Sequence, residues 1–319
     1  MDKVALVTGG KGYLGSHVCK ELKKQNWKVI SLDAKGDYES HPYADYQFSF
    51  TDIRNRNKLN EIFEAFNIDT VFHFAGKIEV GESFKYPTWF WDVNVGGTSC
   101  LLNMMNQHNI KKIIFSSTAA VYEPMHLPIK EHWGLCSNSV YGDTKMACET
   151  MIRQSQMKYG IFRYFNLAGA DIENDIGENH QPETHLIPQI FKNLNNFTIN
   201  GNDYGTPDGT CIRDYVHVSD VAEIHVKAAS YIDNESFTYN LGTGKGHSIL
   251  EIIKLIEMNT GVKVNYQFGE RRLGDPDILV ADISNAQKFL GYQPKYDIND
   301  IIKTAYKWHL KQNKGETVV

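Results

Sequence analysis

A tyrosine and a lysine four residues apart are the clearest chemical signal in this sequence. Tyr141 and Lys145 lie in the stretch Ser-Val-Tyr-Gly-Asp-Thr-Lys, and residues at this spacing share one face of a helix. A lysine ammonium beside a phenol stabilises the phenolate, so we expect it to lower the tyrosine pKa. A tyrosine with a lowered pKa acts as an acid or a base near neutral pH. The pair therefore predicts proton transfer, although the same spacing also arises by chance.

A glycine-rich turn near the N-terminus indicates the cofactor beside which this pair acts. Gly9, Gly12 and Gly15 follow a short apolar run and open a predicted helix. Such a turn lets the backbone approach a pyrophosphate, which the helix N-terminus attracts. Asp33 ends the next predicted strand, where its carboxylate can accept hydrogen bonds from both ribose hydroxyls and repel a 2′-phosphate. These residues favour NAD over NADP, and the alternative is a glycine-rich turn without a ligand.

Alternating strands and helices must position these residues. The predicted strands cover residues 4–8, 28–33, 70–74, 112–116 and 161–165, and the predicted helices cover residues 16–25, 58–66, 87–109 and 141–158. Alternation of this kind predicts right-handed βαβ units around a parallel sheet. We therefore expect an α/β fold, with a Rossmann-type doubly wound parallel sheet and a smaller C-terminal α/β region. In that region we predict helices at 186–194, 221–231 and 248–260, and strands at 237–241 and 263–267.

The composition excludes several other classes of protein. The 319 residues are 42% hydrophobic and 22% charged, with a formal net charge of -5, which predicts a globular protein without a nucleic-acid-binding surface. We expect neither a transmembrane helix nor a signal peptide, because the apolar runs are short. Five scattered cysteines without a metal-ligand spacing predict reduced thiols, a cytoplasmic location and no metal.

Further motifs, in order along nearly the whole chain, resemble the UDP-glucose 4-epimerase family, a branch of the extended short-chain dehydrogenases/reductases. They are Thr-Gly-Gly-Lys-Gly-Tyr-Leu-Gly-Ser-His (8–17) and the stretches 74–83, 115–122, 163–170, 213–218 and 271–275. The stretches 182–188 and 206–214 resemble the bacterial members. The resemblance implies a Rossmann NAD-binding domain over residues 1–170, to which segments from about 212–245 return. It assigns residues 171–319 to a UDP-sugar-binding domain.

The resemblance also implies residue roles. Tyr141 is the expected catalytic base, Lys145 is its partner on the nicotinamide ribose, and Thr118 hydrogen-bonds the sugar hydroxyl. Taken together, the strand ends and the resemblance assign NAD contacts to Gly9, Gly12, Tyr13, Leu14, Gly15, Asp33, Asp52, Ile53, Phe74, Ala75, Gly76, Asn94, Ser116, Tyr141, Lys145 and Tyr164. The expected UDP-sugar contacts are Thr118, Asn166, His185, Leu186, Arg213, Tyr215, Arg272, Asp275 and Leu279.

The implied reaction is inversion at C4 of a UDP-hexose through a transient 4-keto sugar, with NAD tightly bound. UDP-glucose and UDP-galactose are the expected substrates. Family members with tyrosine at the position of Leu279 tend to accept only UDP-glucose and UDP-galactose. Because leucine is smaller, we hypothesise that UDP-GlcNAc and UDP-GalNAc are also accepted. Members of the family pair the helices corresponding to 87–109 and 141–158 across a two-fold axis, so a homodimer is expected.

Some positions depart from the family pattern, and alternative functions remain. Ile78 stands where many members have lysine, Asn200 where many have an aromatic residue, and His185 where several have asparagine. A 4,6-dehydratase needs an acid and a base where this chain has Ala119 and Ala120, so it is disfavoured. Another enzyme of the superfamily is a further alternative. A non-catalytic NAD-sensing protein is disfavoured because both residues of the Tyr–Lys pair are present.

Overall fold

The computed structural model describes residues 3–35, 40–123, 128–272 and 274–315. The chain divides into two compact units. Unit 1 comprises Met1–Glu123, Gly134–Arg163 and Ala222–Tyr239, and unit 2 comprises Pro124–Trp133, Tyr164–Val221 and Asn240–Val319. The division into an NAD-binding and a UDP-sugar-binding domain stays a prediction, because the units are defined by contacts alone. Among the described residues, none of the helices combines the length and apolar composition that crossing a membrane requires.

Strands and helices alternate through the first half of the chain. The strands are β1 Val4–Thr8, β2 Lys28–Leu32, β3 Tyr46–Phe48, β4 Thr70–His73, β5 Lys112–Thr118, β6 Lys158–Tyr164, β7 Asn166–Ala168, β8 Phe197–Asn200, β9 Ile212–His217, β10 Phe237–Leu241, β11 Gly246–Ser248, β12 Tyr266–Gly269 and β13 Ile278–Leu279. The helices are α1 Tyr13–Lys24, α2 Arg56–Ala65, α3 Val80–Lys85, α4 Pro87–Phe90, α5 Gly97–Gln107, α6 Val140–Gln154, α7 Leu186–Lys192, α8 Val218–Tyr231, α9 Ile249–Thr260, α10 Ser284–Leu290 and α11 Ile298–Gly315. A π-helix covers Trp91–Gly96, and a 3-10 turn covers Ala119–Val121.

A seven-stranded sheet, most of it in unit 1, has the order β10-β6-β5-β4-β1-β2-β3. β1 pairs in parallel with both β2 and β4, and the pairs β2/β3 and β4/β5 are also parallel. The strand order therefore reverses between β1 and β4. In open α/β sheets, ligands bind at such a point, outside the carboxyl ends of the strands. This architecture confirms the predicted α/β fold of the Rossmann type.

The strands beside this point are apolar runs that are almost entirely buried. Helices α2, α5 and α6 contribute Leu59, Leu101 and Ile152 to a core that also contains Leu6 and Ile113. Burying a large aliphatic side chain stabilises a fold by about 1.5–3 kcal/mol. The packing of these helices therefore fixes where the turns after β1 and β4 open.

Unit 2 is organised around β9. This strand pairs with β11, β13 and β7. Asp214, in the middle of β9, is completely buried, and its carboxylate accepts from the backbone N–H groups of Thr243 (2.8 Å), Gly244 (3.0 Å) and Ala281 (3.2 Å). The Thr243 hydroxyl donates to the same carboxylate at 2.7 Å. The four donors compensate for the burial of this side chain, so Asp214 holds the segments beside β9 in place.

Most predicted elements have somewhat different bounds in the structure, and two of them show the cause. The helix predicted over 141–158 ends at Gln154, and Lys158 begins β6, because Ser155 leaves the helical conformation and the Lys158 N–H donates to the Lys111 carbonyl at 2.7 Å. The strand predicted over 263–267 lies at Tyr266–Gly269, where it pairs with β8. In both cases pairing with a distant strand or segment decides the boundary.

A buried ion pair fastens α6 to the sheet. Glu149 on α6 accepts from Arg163 Nε on β6 at 2.8 Å and from Arg163 Nη2 at 2.6 Å. The side chains are 0% and 3% exposed, respectively. Arg153 and the Ser117 hydroxyl also donate to Glu149. Burial acts to raise the pKa of Glu149, but the Arg163 guanidinium outweighs it and holds that pKa below its ordinary value.

Replacement of Glu149 by alanine should destabilise the protein strongly. Glu149→Ala leaves the Arg163 guanidinium buried without its partner, which typically costs about 3–5 kcal/mol. Because the folded pKa of Glu149 is lowered, its contribution to stability is present above the unfolded pKa and is lost as the pH falls through the folded value. Urea unfolding midpoints as a function of pH measure both effects. Glu61→Ala, which removes an exposed pair with Lys58, is the control and should change little.

Candidate active site

The turn after β1 has no room for a side chain at Gly9 or Gly15. Gly9 has φ +71, and a Cβ on Gly15 would lie 2.0 Å from the Gly9 carbonyl oxygen. Gly12 precedes α1 and supplies no capping side chain, while Tyr13 and Leu14 are its buried first residues. The backbone N–H groups at the start of α1 thus follow a turn in which Gly9 and Gly12 carry no side chain, which fits a pyrophosphate group.

Asp33 lies directly after β2, where the sequence analysis placed it. Its Oδ2 accepts from the Lys11 N–H at 3.0 Å, and its Oδ1 accepts from the Lys35 N–H at 2.9 Å. Burial raises the pKa of Asp33, and the two backbone hydrogen bonds act in the opposite direction. Each carboxylate oxygen has a further lone pair, so the group is fit to accept the ribose hydroxyls of NAD.

The turn after β4 meets the π-helix. The N–H groups of Phe74 and Ala75 donate to the carbonyl and the hydroxyl of Thr8 at 3.0 and 3.3 Å. A Cβ on Gly76 would lie 2.9 Å from Asn94 Oδ1 and 3.9 Å from Lys145 Nζ. Three residues that the sequence analysis assigned to NAD, from three separate elements, are therefore neighbours at this turn.

Asn94 lies within the π-helix and is fully engaged. Its Oδ1 accepts from the Lys77 N–H at 2.7 Å, and its Nδ2 donates to the Lys77 carbonyl at 3.1 Å and to the Thr144 hydroxyl at 2.9 Å. A π-helical turn shifts a side chain relative to a regular helix and is frequent at functional sites. This contact joins the turn after β4 to α6.

The Tyr141–Lys145 pair stands in the first turns of α6. Ser139 begins this helix by accepting from the Gly142 N–H at 3.1 Å. Lys145 Nζ donates to the Ser116 carbonyl at 2.8 Å and lies 6.0 Å from the centre of the Tyr141 ring. Thr118, at the end of β5, lies close enough to Tyr141 for its side chain to act on the pKa of the phenol. The structure thus brings together every residue to which we assigned a catalytic role.

The expected lowering of the Tyr141 pKa is wrong for this structure. Burial raises the pKa of Tyr141 to about 12, and the Thr118 side chain only partly opposes this effect. Burial also lowers the pKa of Lys145 to about 8. Desolvation disfavours the charged form of both groups, and Lys145 directs its ammonium to a carbonyl group. Helical spacing places the pair on one face but does not predict either effect.

Other residues that we assigned to NAD lie between β3 and α2, where no strand ends at Asp52 and Ile53 as we had expected, or at the end of β6. The Asp52 carboxylate accepts from the Arg54 N–H at 2.8 Å and from Arg54 Nε at 2.9 Å, so its charge is compensated within the chain. Ile53 is buried against Gly97. Tyr164 is the last residue of β6, belongs to unit 2 and is half-buried.

In unit 2, β9 collects most of the residues that we assigned to the UDP-sugar. Arg213 and Tyr215 are two residues apart and so face the same side of the strand. Tyr215 pairs in register with Asn166 of β7, and Arg213 pairs with Leu279 of β13. Arg213 Nη2 also donates to Asp275 Oδ1 at 2.5 Å. A buried guanidinium with one carboxylate partner keeps further donors, which match phosphate oxygens.

A tyrosine that the sequence analysis did not assign joins this group. The Tyr204 hydroxyl donates to Asp275 Oδ2 at 3.1 Å, and the Arg271 guanidinium lies 3.9 Å from the centre of its ring. Its position in the stretch Gly-Asn-Asp-Tyr (201–204) was the available signal. The neighbouring Arg272 is exposed, and the Asn200 side-chain oxygen accepts from Arg272 Nε at 2.9 Å when it faces that group.

His185 and Leu186 stand at the start of α7. His185 precedes the helix, and Leu186 is its first residue. His185 Nδ1 hydrogen-bonds Glu178, and His180 Nδ1 lies 3.0 Å from Glu178 Oε1. Burial acts to raise the pKa of Glu178, but the two imidazoles outweigh it and bring that pKa to about 2. His185 therefore belongs to a cluster in which two imidazoles share the Glu178 carboxylate.

Comparison with known proteins identifies the family. The model of the NAD dependent epimerase/dehydratase family matches residues 5–242. The chain belongs to this family. It is 42% identical over 322 residues to a UDP-glucose 4-epimerase of Halalkalibacterium halodurans, with 97% of this chain and 96% of that protein covered.

Two solved structures in the epimerase/dehydratase family resemble this one closely. The UDP-glucose-4-epimerase from Stenotrophomonas maltophila, with bound NAD and formylated UDP-arabinopyranose, has a TM-score of 0.93 at 35% identity and covers 99% of this chain and 100% of its own. The UDP-glucose 4-epimerase from Bifidobacterium longum, in complex with NAD+ and UDP, has a TM-score of 0.91 at 37% identity, with coverage of 98% and 100%. The predicted family, enzyme class and NAD cofactor are confirmed.

Replacement of Asp33 by asparagine should weaken the binding of NAD relative to NADP. Asp33→Asn removes the charge that repels a 2′-phosphate and weakens the hydrogen bonds to the ribose, each worth about 1.5–3 kcal/mol for a charged acceptor. We expect at least about tenfold weaker NAD binding and detectable NADP binding, measured as nucleotide bound after reconstitution. Asp69→Asn, at a carboxylate that pairs with Lys112, is the control. Unchanged preference in Asp33→Asn would contradict the proposed ribose contact.

Proposed function

We propose that this protein is an isomerase that uses NAD to invert the configuration at C4 of a UDP-hexose. The observation that carries the proposal is the position of the Thr118 side chain near the Tyr141 phenol, with Lys145 one helical turn further along α6. This arrangement gives one hydroxyl of a sugar both a hydrogen-bonding partner and a proton acceptor. The full-length similarity to UDP-glucose 4-epimerases supports the same reaction.

NAD fits the residues of unit 1. Gly9, Gly12 and Gly15 would hold its pyrophosphate, Asp33 would accept from a ribose, and Asn94 would shape the turn after β4. When bound, NAD supplies the acceptor and donor of the hydride that oxidation and reduction at C4 require. The remaining predicted contacts, from Tyr13 to Tyr164, are proposals of the same kind.

Tyr141 is the proposed acid and base. With a pKa of about 12 the phenol is protonated at neutral pH, and a positive charge near the ring is what lowers that pKa. Lys145 carries such a charge on the same face of α6, and Ser116 holds it through a single hydrogen bond. We propose that Lys145 turns to the nicotinamide ribose and to Tyr141 when the site fills. Once its pKa is lowered, Tyr141 gives its own proton to solvent, and the phenolate then takes the proton of the 4-hydroxyl group and later returns it.

The nucleotide anchors the substrate. Arg213 and Arg272 would bind the diphosphate, and Asp275 would bind the uridine ribose. Because these groups contact parts of the substrate that do not react, their binding energy serves to position C4. The remaining proposed contacts to the UDP-sugar are Asn166, His185, Leu186 and Tyr215. Affinity for UDP and reactivity at C4 therefore rest on different residues, which experiments can separate.

Two further features of the proposal rest on resemblance. A homodimer is proposed through the helices around 87–109 and 141–158. Trp89 and Trp91 are 44% and 43% exposed in the single chain, and pairing of these helices with a second copy would cover them. A cytoplasmic location is proposed from the cysteines, all five of which are free thiols. A 4,6-dehydratase remains disfavoured, because Ala119 and Ala120 supply neither an acid nor a base.

The test is epimerisation of UDP-galactose without added NAD. We expect turnover by the wild type, because NAD is tightly bound, and a decrease of about 100-fold to 10,000-fold in kcat for Tyr141→Phe, since general acid–base catalysis contributes that much. UDP binding, measured by calorimetry, should be retained. Tyr159→Phe, at a half-buried tyrosine on β6, is the control. Wild-type turnover by Tyr141→Phe would exclude the proposed base.

Replacement of Leu279 by tyrosine should restrict the sugar that is accepted. Leu279 is half-buried and pairs in register with Arg213, so a larger side chain there would reduce the space beside the anchored diphosphate. We expect Leu279→Tyr to lose turnover of UDP-N-acetylgalactosamine and to keep most turnover of UDP-galactose, in kcat/KM for both substrates. Leu279→Ile is the control of similar volume. An equal loss of kcat/KM on both substrates would contradict the proposed role of residue 279 in selecting the sugar.

A further inference from the structure

Four side chains with metal-ligating atoms meet in unit 2 before α7. Glu178, His180, Glu183 and His185 each place one such atom within 4.8 Å of the others. His180 Nδ1 lies 3.0 Å from Glu178 Oε1 and 4.0 Å from Glu183 Oε1, and His185 Nδ1 contacts Glu178. The donor set is therefore two imidazole nitrogens and two carboxylates, on a stretch of eight residues.

A buried oxygen in this cluster has no donor. Glu183 Oε1 accepts from the N–H groups of Thr184 at 2.8 Å and His185 at 2.9 Å. Glu183 Oε2 has no hydrogen-bond partner, and it is buried in a side chain that is only 2% exposed. Burying an ionised carboxylate without full compensation is costly. A cation at the cluster would compensate the charge of this carboxylate.

We propose that Glu178, His180, Glu183 and His185 form a binding site for a divalent transition metal, of which Zn²⁺ is the best match. Zn²⁺ takes four ligands, with distances to nitrogen and oxygen of about 2.0–2.2 Å. Ligand atoms at the corners of such a tetrahedron lie about 3.3–3.6 Å from one another. The separations of 3.0 and 4.0 Å bracket this value. Imidazole nitrogens favour Zn²⁺ and its neighbours over Mg²⁺ and Ca²⁺.

The surroundings hold the site in place. Glu178, Glu183, Lys192 and Trp308 line one small cleft in unit 2. Trp308 Nε1 donates to the Glu178 carbonyl at 2.9 Å, which holds the backbone at the first ligand. A bound ion would tie the irregular stretch from residue 178 to the start of α7. The spacing Glu-x-His-x-x-Glu-x-His differs from the patterns on which we based the expectation of no metal.

The experiment measures metal binding by the intact protein, with its NAD. The protein is treated with a chelator, separated from it and titrated with Zn²⁺, and the metal content is determined after gel filtration. We expect one Zn²⁺ per chain, and a Co²⁺-loaded sample should show the visible absorption of four-coordinate cobalt. Binding should fall at least tenfold in His180→Asn and in Glu183→Gln. Neither of these residues has a role in the proposed epimerisation.

His247→Asn is the matched control, because His247 and Glu251 form a His–Glu pair at 2.8 Å outside the cluster. This variant should bind Zn²⁺ as the wild type does. Equal NAD content in all variants would show that each variant folds. Absence of stoichiometric Zn²⁺ binding in the wild type would overturn the proposal, as would unchanged binding in both cluster variants. Glu178 would then be only the shared acceptor of two imidazoles. Either outcome is independent of epimerase activity.

Discussion

The position of α6 depends on a buried ion pair. Glu149 lies one turn beyond Lys145, and it is joined to β6 through Arg163 and to β5 through Ser117. Ser117 stands between Ser116, whose carbonyl accepts from Lys145, and Thr118, whose side chain acts on the pKa of Tyr141. Glu149 follows Lys145 by the same four residues that separate Lys145 from Tyr141. All three residues therefore lie on one face of α6, and Glu149 fixes this face to the sheet. Burial makes the pair sensitive to the loss of either partner.

The burial that holds this helix also suppresses the reactivity of its first turns. It raises the pKa of Tyr141 and lowers that of Lys145, so burial disfavours the charged form of both groups. In the mechanism that we propose, the reactivity of Tyr141 depends on the Lys145 charge that turns to it when the ligands bind, since a nearby charge is worth more in a medium of low dielectric constant. This dependence explains why a protein with a preformed Tyr–Lys pair need not have a reactive phenolate at rest.

The sequence predicted the elements that depend on residues close together in the chain. Glycines at the turn after β1, the apolar runs of β1 and β4 and the spacing of Tyr141 and Lys145 are all visible within a few residues. Features that depend on distant partners were missed. β9 and the two-residue β13 exist because they pair with each other, Tyr204 is defined by its contact with Asp275, and Lys158 belongs to β6 because of Lys111. Desolvation of Tyr141 likewise depends on the whole fold.

Neighbouring residues of β9 point to opposite sides, and this alternation has an evolutionary consequence. Asp214 holds the Ala281 backbone from the buried side, while Arg213 lies beside Leu279 on the other. β13 is held by its pairing with β9, and Asp214 holds the backbone two residues beyond it at Ala281. Neither attachment uses the Leu279 side chain. Under the role that we propose for Leu279, selection can therefore change the accepted sugar by exchanging residue 279, while the strand and the proposed nucleotide anchor are retained.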